Sequence, residues 1–282
     1  MRGVIWFLAI AFGLAWISWE IAIQSGVPVL SGQFQFFALP GAFAPAIAAF
    51  VVRKWITREG FGDAGLGVHI RNWRFYLLAW LLPLAVVAAI TAQAVVLGIA
   101  EPDFTLERAS ATEIAGNKVE GLGDLAWLVV PQVMILAIVA TPVLWGEEFG
   151  WRGYLQRRIL VGRPVAAAVV TGIIWALWHF PITLRGYNYP EQPLLGSLIF
   201  VGITVPTSYL FGWFREKTGS IWAASLAHAS TNAIGALALL WFAGAASLHL
   251  VSYGGLLAIP PLFAACAIIY WSERSNRRLA RG

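Results

Sequence analysis

Apolar residues run through this chain in long blocks. Stretches able to cross the ~30 Å hydrocarbon core of a bilayer as helices occupy about 4–23, 34–52, 75–99, 125–160, 164–180, 193–214, 219–243 and 249–271. The pattern predicts eight transmembrane helices. The first block has the length of a spanning helix rather than of a short signal core, and other spans follow it, so it reads as the first transmembrane helix. The fourth is too long for one straight span. Pro142 interrupts it, and Thr141 followed by Pro142 reads as a restart, with Thr as N-cap and Pro at the first helical position.

Composition strengthens this picture. The 282 residues are 59% hydrophobic and only 12% charged, against about 25% charged in a soluble domain. The fold class is therefore an all-α integral membrane protein, a bundle of about eight helices. Fifteen Trp and seven Tyr suit a chain that meets the membrane interface many times. The formal charge of +5 is spread over short loops, so it indicates no nucleic-acid partner. The single cysteine, Cys266, cannot form an intrachain disulfide and leaves the redox compartment open.

Charge also orients the chain. Arg2, loop 53–74, the 157–163 turn, Arg215 with Lys217, and the tail from Arg274 onward hold fifteen of the nineteen cations. Arg108, Lys118 and Arg185 fall on the other side, and Arg152 lies within a helix. The rich side is cytoplasmic by the positive-inside rule, and both termini are then cytoplasmic, as an even number of spans requires. Loop 100–124 is acidic (Glu101, Asp103, Glu107, Glu113, Glu120, Asp124) and is expected outside. It suggests a division into 1–123 with three plain helices, a 124–245 core, and 246–282 with the last helix and a basic tail. A compact multi-pass chain of this kind is expected in a prokaryotic inner membrane, with lipid as its surroundings; oligomeric state is not legible.

The core carries the deep polar residues. In TPVLWGEEFGWRG, from Thr141 to Gly153, Glu147, Glu148 and Arg152 lie within six residues of one another. A charge at a helix centre in a bilayer costs roughly 2.5–3.5 kcal/mol even on the gentler scales, so these groups need partners. Glu148 and Arg152 are four apart and share a helix face, the geometry of an ion pair. Glu147 sits about 100° away and has no cation on its own face. The fifth block reads WALWHFP with His179, and the seventh reads SLAHASTN with His228 and Asn232 four apart. At 1.5 Å per residue, Glu147 and His179 stand ~22–24 Å along their helices from the basic turn, and His228 roughly 14 Å from Gly219.

Such a set supports acid–base hydrolysis. A carboxylate takes a proton from water, a neutral histidine holds or shuttles it, and a His–Asn pair donates to an oxyanion. A metal is the alternative, a divalent ion such as zinc on Glu147, His179 and His228 with an open position, although no HExxH is present. Tyr154 and Arg158 fall within about 20° of the Glu147 face by the helical repeat, and would line a wet path up from the basic turn.

The three motifs together resemble the CPBP (CAAX protease and bacteriocin-processing) intramembrane proteases. EEFGWR matches EExxxR, WALWH resembles FxxxH, and HASTN matches HxxxN, in the same order and hydrophobic setting. The resemblance covers roughly 125–245. It implies a hydrolase in which Glu147 activates water with His179, while His228 and Asn232 stabilise the tetrahedral intermediate and Glu148 and Arg152 support them. It implies a membrane-associated or lipidated protein or peptide as substrate, through CAAX-type processing or peptide maturation. Metalloprotease chemistry stays open. Trp175 stands where the family usually has Phe, a change expected to alter pocket shape more than chemistry. A proton-coupled transporter would also bury Glu, His and Arg, but would show paired half-repeats with broken helices, and only Pro142 fits.

The topology is testable with one engineered thiol. In a Cys266→Ala background, Arg281→Cys should react with an impermeant thiol reagent only when the inner face is open. Labelling from outside would invert the assignment.

Overall fold

The computed structural model describes residues 2–106, 121–235, 237–242 and 247–279. Most of the acidic loop, with Glu107, Glu113, Glu120, Arg108 and Lys118, lies outside the described residues, as does Arg281. Helix α1 is Arg2–Gln24, α2 Gly32–Ala42, α3 Ala44–Val51, α4 Trp73–Val96, α5 Val130–Trp151, α6 Pro164–Thr183, α7 Pro193–Thr218, α8 Ile221–Ile234 and α9 Ile259–Leu279. Among the described residues there is no strand, only an isolated antiparallel bridge between Pro102 and Phe242. The chain is a multi-pass integral membrane protein.

Seven helical segments, rather than eight, are long and apolar enough among the described residues to cross a membrane. The exception is the block at 219–243. Its helix α8 has 14 residues, ~21 Å at 1.5 Å each, short of a ~30 Å core. Beyond Ile234 the carbonyl of Gly235 accepts from the Tyr253 amide at 3.0 Å, and the chain resumes as a 3₁₀ turn at Leu237–Trp241. The segment still passes between the two ends of the bundle, in two pieces. Ile221 bonds the Gly65 carbonyl at one end, and Phe242 bridges Pro102 beyond α4 at the other.

The predicted restart at Pro142 does not occur either. Helix α5 continues through Pro142, and the Thr141 hydroxyl donates to the Ala137 carbonyl at 2.8 Å instead of capping. Pro142 is exposed, and membrane helices tolerate an internal proline of this kind. A π-helical turn at Leu125–Val129 and a 3₁₀ turn at Leu155–Arg157 extend the segment at its two ends.

Small residues bring the helices together. Apolar attraction between helices is weak in lipid, so close backbone contact does much of the work. Gly146 and Gly150 are four apart on α5, and the two glutamates lie between them. A Cβ on Gly146 would stand 2.8 Å from the Phe43 ring, and one on Gly150 would collide with Pro45 at the start of α3. On α6, a Cβ at Gly172 would lie 2.6 Å from the Val205 Cα on α7. Gly219 ends α7 in the left-handed region at φ 70°, where glycine alone is unstrained, and the Ser220 hydroxyl caps α8 by accepting from the Trp222 amide.

One end of the bundle collects cations. Arg53, fully buried, donates to Asp63 Oδ1 at 2.8 Å and to the carbonyls of Gly60 and Gly153. Arg158 pairs with Glu59 at 2.9 Å and Asp63 at 3.2 Å, and Arg215 donates to the Asp63 carbonyl. Burial acts to raise the Asp63 carboxyl, but the Arg53 hydrogen bond and the charges of Arg158 and Arg53 outweigh it and hold the group at about 2. At the opposite end Arg185 pairs with Glu20 at 3.0 Å. Arg53, Arg157, Arg158 and Arg215, grouped by sequence, thus meet around Asp63 at one end in space.

Gly150→Val should lower the melting temperature by the equivalent of about 1–3 kcal/mol, the usual cost of overpacking. Gly13→Val, where a Cβ meets nothing within 4 Å, is the control. Equal melting temperatures for the two variants in the same detergent would refute the close α3–α5 contact.

Candidate active site

The polar residues singled out in the sequence converge from three helices. Helix α5 brings Glu147 and Glu148, 6% and 0% exposed, with Arg152 at its C-terminal end, 1% exposed. Helix α6 brings Trp175 and His179, and α8 brings His228. The close approach of α5 to α3 pushes the glutamates to the opposite side, where α8 and α6 receive them.

Glu148 is a shared acceptor. Its Oε1 takes a hydrogen bond from Arg152 Nη1 at 2.9 Å and another from His228 Nδ1 at 2.9 Å. The expected intrahelical pair therefore also reaches α8. Because Nδ1 of His228 must carry the proton to donate to a carboxylate, Nε2 is the nitrogen left over. Arg152 is further covered by rings, with its guanidinium 4.7 Å from Trp175 and 5.1 Å from Phe211. Among the described residues its Nε and Nη2 have no hydrogen-bond partner, and the aromatic faces supply cation–π attraction in their place.

Glu147 has a different environment. Its Oε2 accepts from the Trp175 indole Nε1 at 2.8 Å. Oε1 has no hydrogen bond among the described residues, and it is not one of the sealed, unpartnered atoms either, so it is open to a water. The sequence reading expected Trp175 to change shape rather than chemistry. The indole N–H instead bonds the proposed base directly, which a Phe cannot do. The clue was present in the sequence as Trp for Phe one turn before His179.

His179 donates from Nδ1 to the Trp175 carbonyl at 2.9 Å, leaving Nε2 with its lone pair. Aromatic rings enclose it, Trp178 at 4.7 Å, Phe200 at 5.1 Å, Trp19 at 5.8 Å and Trp175 at 5.9 Å. Asn232 is placed one turn beyond His228 on α8, exposed, and without a side-chain hydrogen bond among the described residues. It is near the group by sequence and helix, but the structure gives it no contact with the other motif side chains.

One expectation is corrected here. Tyr154 and Arg158 do not line an open path. Tyr154 is 1% exposed and stacked on Phe7 at 5.0 Å, and the Arg158 guanidinium covers its ring at 4.2 Å while pairing with Glu59 and Asp63. Local loop charges took the cation that helical counting had assigned to a channel. Among the described residues no group of three His, Cys, Asp or Glu side chains is placed to hold a metal ion, while His179 and His228 each keep Nε2 outside these hydrogen bonds. A cavity of about 600 Å³ opens elsewhere, at the cation-rich end between Gln156, Tyr209, Trp213, Lys217 and Arg274, and no motif residue lines it.

Residues 126–234 match the family model described as Type II CAAX prenyl endopeptidase Rce1-like. Over this segment the chain is similar to the Rce1-like endopeptidases. A relative from Methanococcus maripaludis, CAAX prenyl protease 2, is 31% identical over 97 residues. That stretch covers 31% of this chain and 33% of the relative, about a third of its length. Glu147, Glu148, Arg152, Trp175, His179, His228 and Asn232 all fall inside the Rce1-like segment. Arg53 does not, and nothing in its position at the end of an apolar block marked it as the residue that holds the Gly153 carbonyl.

Glu148→Gln should cost about 3 kcal/mol or more of stability, because it strands the buried Arg152 without a counter-charge. Thermal unfolding in detergent checks this. An unchanged melting temperature would mean that the ring faces alone satisfy Arg152.

Proposed function

We propose that the chain is an intramembrane endopeptidase that cleaves a peptide bond of a membrane-associated, prenylated protein by water attack. The reading rests on the Rce1-like match together with one observation, a buried carboxylate whose Oε1 is open while its neighbour Glu148 is committed to Arg152 and His228. The name of the methanococcal relative, CAAX prenyl protease 2, points to the substrate class.

In the proposed mechanism Glu147 Oε1 takes a proton from water, and the hydroxide adds to the scissile carbonyl. His179, through its unprotonated Nε2, helps orient that water and shuttle the proton. The developing oxyanion receives hydrogen bonds from His228 and the Asn232 amide. His228, whose Nδ1 is held by the Glu148 carboxylate, donates from a protonated Nε2. The Asn232 amide, not tied to another side chain among the described residues, is free to turn to the substrate. Collapse of the intermediate breaks the C–N bond, and the proton held by Glu147 passes to the leaving amine. The aromatic enclosure keeps the local dielectric low, which strengthens each of these interactions. No step is assigned to a metal.

Glu147→Gln keeps the shape and can still accept from Trp175, but cannot take the proton. In liposomes with a prenylated C-terminal peptide, its turnover should fall by at least about 10²-fold, the low end of what a positioned base contributes, with the melting temperature unchanged. Wild-type turnover in this variant would sink the proposal. Loss of ion-coupled uptake without any proteolysis would favour the transporter reading.

A further inference from the structure

The geometry points to Trp175 as the positioning residue of the Glu147 carboxylate, fixing through its indole N–H which of the two oxygens faces the water. This inference rests on the peptidase reading above. It goes beyond that reading because it assigns a role in the reaction to a residue that the motif treats as aromatic filler.

A glutamate with two equivalent oxygens can turn about its terminal bond, and a general base works only when a lone pair is aimed at the proton it removes. Trp175 breaks the equivalence. Nε1 donates to Oε2 at 2.8 Å, the hydrogen bond that the Glu147 side chain makes among the described residues, and Oε1 is left open. The carboxylate is thereby held by one fixed donor on one side.

The donor itself is rigid, for reasons independent of Glu147. The Trp175 side chain is 4% exposed. Arg152 lies over the ring at 4.7 Å, and Arg152 is in turn bound to Glu148. His228 meets the ring edge-on at 5.1 Å, and Phe211 leans against it at 6.0 Å. The carbonyl of the same residue holds His179 at Nδ1. One residue thus contacts Glu147, His179, His228 and Arg152, so the angle of the indole carries information about all four. Preorganisation of this kind matters because a misplacement of about 1 Å can cost on the order of 10²-fold in rate.

Removing only the N–H tests the idea. Benzothienylalanine at position 175 puts sulfur where the indole has N–H and keeps size and ring faces. Trp175→Phe is the genetically encoded companion. Both should lower kcat about 10- to 100-fold on the prenylated peptide in liposomes. KM should stay within about twofold, since neither variant removes a group that binds the substrate. In a Glu147→Gln background the same replacements should produce no further loss, because no base remains to be aimed. Wild-type kcat in the benzothienylalanine protein would overturn the role of Trp175 while leaving the peptidase reading intact. A parallel fall in kcat and melting temperature for that isosteric protein would make Trp175 a packing residue only, which also overturns it. Full turnover by Glu147→Gln alone would remove both the reading and the inference.

Discussion

A carboxylate with no access to water holds this site together. Glu148 is fully buried and gives one oxygen to two donors, Arg152 on its own helix and His228 on α8. A buried ion pair is only a weak source of stability, since desolvation of both charges offsets most of the attraction. Its effect is directional. Two strong donors must meet one oxygen, so α5 and α8 have little freedom to slide or rotate against each other. The orientation of His228 follows, and so does the position of Arg152 under Trp175.

The aromatic residues complete what the charges begin. Among the described residues two nitrogens of Arg152 find no hydrogen-bond partner, and Trp175 and Phe211 cover its faces instead. The same Trp175 ring reaches His179, His228 and the Glu147 carboxylate. Adjacent glutamates consequently differ in kind. Glu148 commits Oε1 to a cationic and an imidazole donor and has Oε2 sealed from solvent, whereas Glu147 has one indole donor and an open oxygen. Environment, rather than residue type, separates a structural carboxylate from one available for chemistry.

The cation-rich end has its own logic. Asp63 draws in Arg53, Arg157, Arg158 and Arg215, which ties the loop after α3 to the turn after α5 and the end of α7. Arg53 carries this tie to the Gly153 carbonyl, directly after the glutamate motif. Helix α5 is thus held by a glycine contact with α3 along its length and by a buried arginine at its end. Gly150 lies against Pro45 because glycine has no Cβ to hold the two helices apart.

Much of this could be read from the sequence. Apolar block lengths determine a multi-pass helical fold, because a bilayer leaves no other way to satisfy the backbone of so apolar a chain. The spacing of Glu148 and Arg152 determines their pairing, since that contact is local to one helix. The three motifs picked out Glu147, His179, His228 and Asn232 as candidates. Hydropathy could not determine that the block at 219–243 is a 14-residue helix followed by a 3₁₀ turn, because Gly235 bonds a residue eighteen positions later. Nor could periodicity place Thr141 inside a continuous helix, where its hydroxyl bonds the Ala137 carbonyl instead of capping a new start. The hydrogen bond from Trp175 to Glu147, the reach of Glu148 to His228 and the capture of Arg158 by Glu59 and Asp63 were decided by tertiary structure alone. Each joins segments far apart in the chain, and a one-dimensional pattern carries no term for the angle at which two helices meet.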